Sequence, residues 1–189
     1  MSLTKNNIID LKKFTTKKLS FNTKEIGTYS KKIDIIYDEI NNPIIIFPRA
    51  PIIKLTNDSK NNYEITVSYD VENIYNFHKF IQLWNIATER KVKQISPNIN
   101  ISYPHYYFDK NENGYRKKYL VMSFKTTQNT KYFDKNKKHY SHCGINVGDE
   151  IGGAIYTKGI FLDGDGATQR WTAHQVIALT NNLNISPNK

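Results

Sequence analysis

Cysteine is almost absent from this chain of 189 residues, which contains only Cys143. A single cysteine excludes an internal disulfide and any zinc site built from several thiolates, and it agrees with a reducing compartment. His139 and His142 lie nearby in the sequence. However, no carboxylate or second cysteine follows at a usual ligand spacing, so we interpret the group as part of a polar loop. No metal site is predicted.

Long apolar runs are also missing. The longest of note, residues 44–47, is far shorter than the roughly 20 residues needed to cross a bilayer. The Lys-rich amino terminus lacks the apolar stretch of a signal peptide. We therefore expect a soluble, intracellular protein without a membrane partner.

The motifs of common enzyme classes are absent as well, since the sequence has no P-loop, no GxSxG and no HExxH. A metal-dependent nuclease is a minor alternative, with carboxylates holding Mg²⁺ and a lysine near the scissile phosphate. Its residues would be Asp149, Glu150, Lys158, Asp163 and Asp165. The same residues suit loops, because Asp-Gly pairs supply the positive φ of tight turns. We predict a protein that is not an enzyme and needs no cofactor.

Acidic residues are few, with 17 Asp and Glu against 27 Lys and Arg, which gives a formal net charge of +10. The chain is also rich in Lys, Asn and Ile, the residues that AT-rich codons supply. Such a codon bias raises the number of basic residues without selection for binding. Net charge alone is therefore weak evidence for a nucleic-acid partner, and local clustering is the better evidence.

Residues 103–142 are the clearest cluster, with ten aromatic residues and nine Lys or Arg interleaved against three acids. Flat rings and cations together can bind the two features that single-stranded nucleic acid exposes, unpaired base faces and phosphates. Candidate binding residues in this stretch are Tyr106, Tyr107 and Lys125. The composition leaves DNA and RNA both open.

The pattern of short β-type runs predicts a mainly β protein with one principal α-helix. Runs at 33–37, 43–47 and 51–55 are broken by prolines, which lack a ladder donor and favour edges or bends. Period-two alternation predicts further strands at 63–69 and 115–126. On the last of these, Tyr119 and Lys125 are expected to face outward, opposite an apolar side. A strong hairpin is predicted around the Asp-Gly pairs at 163–166.

The one convincing helix is predicted to follow Asp70, whose carboxylate suits an N-cap. Val71, Ile74, Phe77, Ile81 and Trp84 recur at spacings of three and four, as on a helix packed against a sheet. Trp84 is accordingly predicted to lie in the core.

A single β-rich domain is predicted over residues 33–180. Residues 1–32 carry eight Lys against two acids and show no sustained period, which is typical of a flexible basic arm that is mobile or orders on a partner. Residues 128–144 are Lys-rich and short of apolar anchors, which predicts a long exposed loop. Residues 181–189 are predicted to form a short polar tail.

The layout resembles the single-stranded-DNA-binding proteins of large DNA viruses and phages, which use an OB-type barrel. The likeness is carried, over about a third of the chain, by the segments DVENIYNFHKFIQLWNIA, YRKKYLVMSFKT and GAIYTKGIFLDGDGATQRWTAHQVI. The resemblance implies a non-catalytic protein that coats single-stranded DNA in viral or phage replication or recombination, in the cytoplasm or nucleus of an infected host cell. The carboxyl end, NNLNISPNK, departs from the family because it lacks an acidic, aromatic-tipped tail.

The resemblance also implies a groove that binds phosphates with cations and stacks bases on rings. The positions that it implies are Arg116, Lys117, Lys118 and Tyr119 on the central strand, and Lys158, Arg170 and Trp171 on the hairpin. Implied partners are single-stranded DNA or RNA, further copies of the chain and replication proteins. The main alternative is a structural protein of a virus, such as a capsid, matrix or packaging component.

Overall fold

The structure is a computed structural model that describes residues 7–28, 30–57, 62–140, 144–164 and 166–180. The predicted tail at 181–189, together with His142, Cys143 and Asp165, lies outside the described residues. The strands are β1 Leu19–Glu25, β2 Ser30–Tyr37, β3 Ile40–Asn41, β4 Ile44–Asn57, β5 Tyr63–Asp70, β6 Asn100–Ser102, β7 His105–Glu112, β8 Tyr115–Lys125, β9 Lys131–Phe133, β10 His139–Tyr140, β11 Glu150–Asp163 and β12 Gly166–Ala178.

One α-helix, α1 at Tyr75–Ile95, follows β5 as predicted. Asp70 caps the single 3-10 turn that precedes α1, because its carboxylate accepts the amide of Glu72 at 3.0 Å. The predicted apolar stripe faces the sheet, and Trp84 is fully buried. Among the described residues, no helix has both the length and the apolar character needed to span a membrane.

Five strands close into a barrel, which confirms the predicted OB-like fold. In chain order they are β4, β5, β8, β11 and β12. Neighbours pair antiparallel along β11, β4, β5 and β8, and β11 also pairs antiparallel with β12. The ring closes where β8 meets β12 in a short parallel contact between Lys125 and Thr172.

Strand β4 is a single strand of 14 residues, whereas the sequence predicts two short runs separated by prolines. Its first half pairs with β11 and its second half pairs with β5. Pro48 falls in the register shift opposite Gly152, where the ladder is already interrupted. Pro51 lies where β4 changes partner. The prolines therefore mark a bulge and a bend within one strand rather than two strand ends.

The prediction of a flexible basic arm over residues 1–32 is wrong for the residues described there. Strand β1 pairs along its whole length with β2, and the amide of Ile9 donates to the carbonyl of Ile44 at 2.9 Å. Phe14 packs against Tyr37 and Phe80, with ring centroids 5.2 and 4.7 Å apart. The sequence does not reveal β1, because most of this strand is exposed and its residues show no sustained alternation of apolar and polar side chains.

The predicted exposed loop at 128–144 also contains regular structure. Strand β9 pairs in parallel with β12 and antiparallel with β10, and Tyr132 is buried. The closing hairpin agrees with its prediction, because β11 and β12 turn at residues 163–166. These outer strands extend the barrel into one large sheet around the core.

Candidate nucleic-acid interface

An exposed aromatic surface lies on the outer side of β7 and β8. The strand register places Phe108 beside Tyr119, and the two rings stack with centroids 5.2 Å apart and an interplanar angle of 15°. Tyr106 lies two residues before Phe108 on the same side of β7 and is 59% exposed. We call Tyr106, Phe108 and Tyr119 the aromatic face. Flat rings exposed in a row can stack on unpaired bases.

Lysines border the aromatic face, and carboxylates on the same surface lie near them. The ammonium of Lys117 lies 3.5 Å from Asp70 and 3.6 Å from Glu112. That of Lys125 lies 3.9 Å from Glu64. The charge of Asp70 raises the pKa of Lys117 above its ordinary value, which favours the cationic form of this lysine. Exposed ion pairs of this kind contribute little to stability and can exchange their partner for a phosphate.

A cleft of about 380 Å³ opens where β8 and β12 separate. Strand β12 pairs with β6 at residues 166–168 and reaches β8 only at Thr172, so a gap remains between them. Tyr106 and Lys125 line one side of the gap and Arg170 lines the other. We call this space the β8–β12 cleft. It brings together four of the predicted binding residues, since Trp171 also lines it, and it is continuous with the aromatic face through Tyr106.

The outer side of the closing hairpin carries a second group of cations around Phe161. The guanidinium carbon of Arg170 lies 5.4 Å from the Phe161 ring centroid, and the ammonium of Lys32 lies 5.9 Å from it. Arg49 and Arg116 have carboxylate partners at 2.8 and 2.6 Å, whereas Arg170 has none among the described residues. Arg170 therefore offers an uncompensated charge at the mouth of the β8–β12 cleft.

Lys158 is exposed on the same hairpin because of a β-bulge. The register of β11 and β12 shifts between Thr157 and Ile160, which leaves two residues opposite Arg170. Gly159 within the bulge has a φ of +98°, and a side chain there would meet the carbonyl oxygen of Ile33 at 2.3 Å. The bulge therefore requires glycine at 159 and presents Lys158 to solvent.

Three predicted binding residues lie on the opposite side of β7 and β8. Strand alternation places Tyr107, Arg116 and Lys118 on the side that packs toward α1. The ammonium of Lys118 lies 5.0 Å from the Tyr107 ring centroid, and that ring contacts His78 edge to face at 5.5 Å. Arg116 pairs with Asp109. The structure does not bring these residues together with the aromatic face.

Trp171 lies in the core, although the family resemblance implies a binding role for it. Its side chain is 1% exposed, and its ring packs against Trp84 with centroids 5.4 Å apart. A buried indole cannot stack on a base without unpacking the barrel. Trp171 follows Arg170 directly on β12, and consecutive side chains of a strand point to opposite faces, so only one of the two can face outward.

Sequence reasoning missed Phe108 on the aromatic face, and it missed Phe161 and Lys32 on the outer side of the closing hairpin. Phe161 could have been found by counting back from the Asp-Gly turn, because the hairpin register pairs Phe161 with Thr168, two residues before Arg170. Lys32 could not have been found from the sequence, because its place beside Phe161 depends on the pairing of β2 with β11, which is distant in sequence.

The carboxylates considered for a nuclease have structural partners. Asp149 is buried and accepts the amide of Asn146 at 2.8 Å and the hydroxyl of Thr180 at 3.0 Å. Glu150 pairs with Arg49, and Asp163 accepts the Ser30 hydroxyl at 3.0 Å. Within the described ranges, no group of three His, Cys, Asp or Glu is arranged to hold a metal ion. Asp165 lies outside those ranges.

Comparison with known proteins finds a similar fold and no similar sequence. The sequence matches no protein-family model and no curated protein. The fold is similar to that of the single-stranded DNA-binding protein from bacteriophage Enc34, with a TM-score of 0.53 and 11% identity over 86% of this chain and 90% of that chain. A structure of that protein in complex with ssDNA aligns with a TM-score of 0.44 and 10% identity, over 87% and 97%. The likeness confirms the expected resemblance at the level of the fold.

Replacing Trp171 tests its place in the core. Because the ring is buried against Trp84, we expect Trp171→Ala to lower the free energy of unfolding by about 3–5 kcal/mol. Tyr106→Ala removes an exposed ring and should change it by less than about 0.5 kcal/mol. Urea denaturation followed by circular dichroism measures both values. Equal, small effects of the two substitutions would mean that Trp171 is not a core residue.

Proposed function

We propose that this protein binds single-stranded DNA along the aromatic face and the β8–β12 cleft. One observation carries the proposal: Tyr106 and Phe108 are exposed on β7, and Tyr106 also lines a cleft that contains Lys125 and Arg170. Unpaired bases would stack on Tyr106 and Phe108, while the cations would contact the phosphates that follow. Stacking is worth about 1–3 kcal/mol per base in such sites.

The position of the surface on the barrel supports this proposal. OB-type barrels bind oligonucleotides on the face of their second and third strands and on the loops that join strands one to two and four to five. Here the second and third barrel strands are β5 and β8, and β8 carries Tyr119 and Lys125. The fifth barrel strand, β12, borders the cleft with Arg170. The similar phage structure is named for binding single-stranded DNA, which agrees with the same use of the fold.

The biological role that fits this chemistry is the coating of single-stranded DNA during viral or phage replication or recombination, in an infected host cell and without catalysis. A stacking surface accepts only unpaired bases, so the protein would prefer single strands to duplex. Lysines that bind phosphates make the affinity fall as salt rises. A structural protein of a virus that neutralises packaged nucleic acid would show no such preference for single strands.

Tyr106 provides the sharpest test of stacking. We expect Tyr106→Ala to weaken binding of a 30-nucleotide single strand by about fivefold or more, because one base loses the tyrosine ring on which it stacks. Tyr75→Ala is the matched control, since Tyr75 is 66% exposed at the start of α1 and does not line the cleft. Fluorescence-anisotropy titration of the labelled strand and its duplex measures the affinities. Equal losses for the two variants would exclude Tyr106 from the site.

Arg170 tests the phosphate contacts. If its free guanidinium binds one phosphate, Arg170→Ala should reduce the slope of log affinity against log salt concentration by about 0.7 for a single strand. Arg49→Ala removes an exposed arginine that is already paired with Glu150 and should leave the slope unchanged. Titrations at four salt concentrations provide the slopes. A slope for Arg170→Ala equal to that of the unmodified protein would remove this residue from the phosphate path.

A further inference from the structure

Gln169 is a buried amide without a partner. Its side chain is 2% exposed, lies on β12 opposite Ile160 and lines the β8–β12 cleft. Neither its amide nitrogen nor its amide oxygen has a hydrogen-bond partner among the described residues. An unsatisfied buried polar group costs about 1–3 kcal/mol of stability. A leucine or methionine at this position would avoid that cost. An unpaired amide here is therefore expected to serve a ligand rather than stability.

Two other residues that line the same cleft also have polar atoms without a partner, namely the indole nitrogen of Trp171 and Nδ1 of His105. The other ring nitrogen of His105, Nε2, lies 2.8 Å from the side-chain nitrogen of Asn85. Burial lowers the pKa of His105 to about 4, so the ring is neutral at pH 7. Since Nε2 accepts a hydrogen bond from Asn85, the proton of the neutral ring is on Nδ1, which makes Nδ1 a donor.

The cleft therefore offers more donors than acceptors to a ligand. The Gln169 amide supplies one acceptor and one donor group, and Trp171 and His105 supply one donor each. Cytosine and thymine each present two acceptors and one donor group on their pairing edge. Adenine presents one of each there, and guanine presents one acceptor and two donor groups. A pyrimidine edge complements this set of groups better than a purine edge does.

Resting on the proposed binding of single-stranded DNA, we propose that the β8–β12 cleft takes up one pyrimidine base of the strand and recognises its pairing edge through Gln169. Tyr106 and Arg170, on opposite sides of the mouth of the cleft, would hold the neighbouring base and phosphate. The stacking surface alone has little preference for sequence, because every base has a flat face. The cleft would add a preference for pyrimidines.

The test combines a variant of the protein with a variant of the DNA. Titrations with strands of thymine, cytosine and adenine should show that the unmodified protein binds both pyrimidine strands at least about fivefold more tightly than the adenine strand. Gln169→Met keeps the length of the side chain but removes the amide, and it should abolish this difference while affinity for the adenine strand is kept. Gln175→Met, on the same strand but outside the cleft, is the control.

Stability and a base analogue separate recognition from damage to the fold. Thermal unfolding of Gln169→Met should occur at the same or a higher temperature than that of the unmodified protein, because an unpaired buried amide is removed. A strand in which thymine is replaced by difluorotoluene, which has its shape but poor hydrogen-bonding groups, should bind the unmodified protein as weakly as the adenine strand does.

Each alternative outcome has one meaning. A pyrimidine preference that survives in Gln169→Met or with difluorotoluene would overturn the edge recognition, since it would then come from stacking or strand flexibility. Equal affinity of the unmodified protein for all three strands would also overturn it, with single-strand binding intact. If no single strand binds more tightly than duplex, the proposed function itself fails.

Discussion

A short parallel contact between β8 and β12 holds the barrel closed. Only Lys125 and Thr172 are paired there, yet this contact closes the five-stranded barrel. A longer ladder would fill the space between the strands, and no contact would leave the core open along one side. Strand β12 pairs with β6 at residues 166–168 and meets β8 only at Thr172. The barrel is therefore closed at Thr172, and a cleft remains between β8 and the part of β12 that precedes it.

Strand alternation then decides which residues can meet a ligand. Tyr106 and Tyr107 are neighbours in sequence, but one belongs to the aromatic face and the other packs toward α1. The same rule separates Arg170 from Trp171 on β12. A stretch rich in aromatic and basic residues therefore supplies two chemically different surfaces, one that faces outward and one that supports the helix.

Local periodicity explains what could be predicted from the sequence. The stripe of α1, the two sides of β8 and the turn at 163–166 all depend on spacings of a few residues, and each agrees with the structure. The continuity of β4, the pairing of β1 and the burial of Trp171 depend instead on partners far away in the chain. The unpaired amide of Gln169 could not be foreseen either, because a glutamine in a hairpin between Thr168 and Arg170 gives no indication of its burial.

We propose that single-stranded DNA lies on the aromatic face and enters the β8–β12 cleft. Photocrosslinking tests it most directly, using a single strand that carries 5-iodouracil, which reacts with aromatic side chains that it stacks on, followed by mass spectrometry of the peptides. We expect crosslinks to Tyr106, Phe108 or Tyr119 that unlabelled single strand competes away and duplex does not. Crosslinks confined to Tyr75 or to β1 would contradict it.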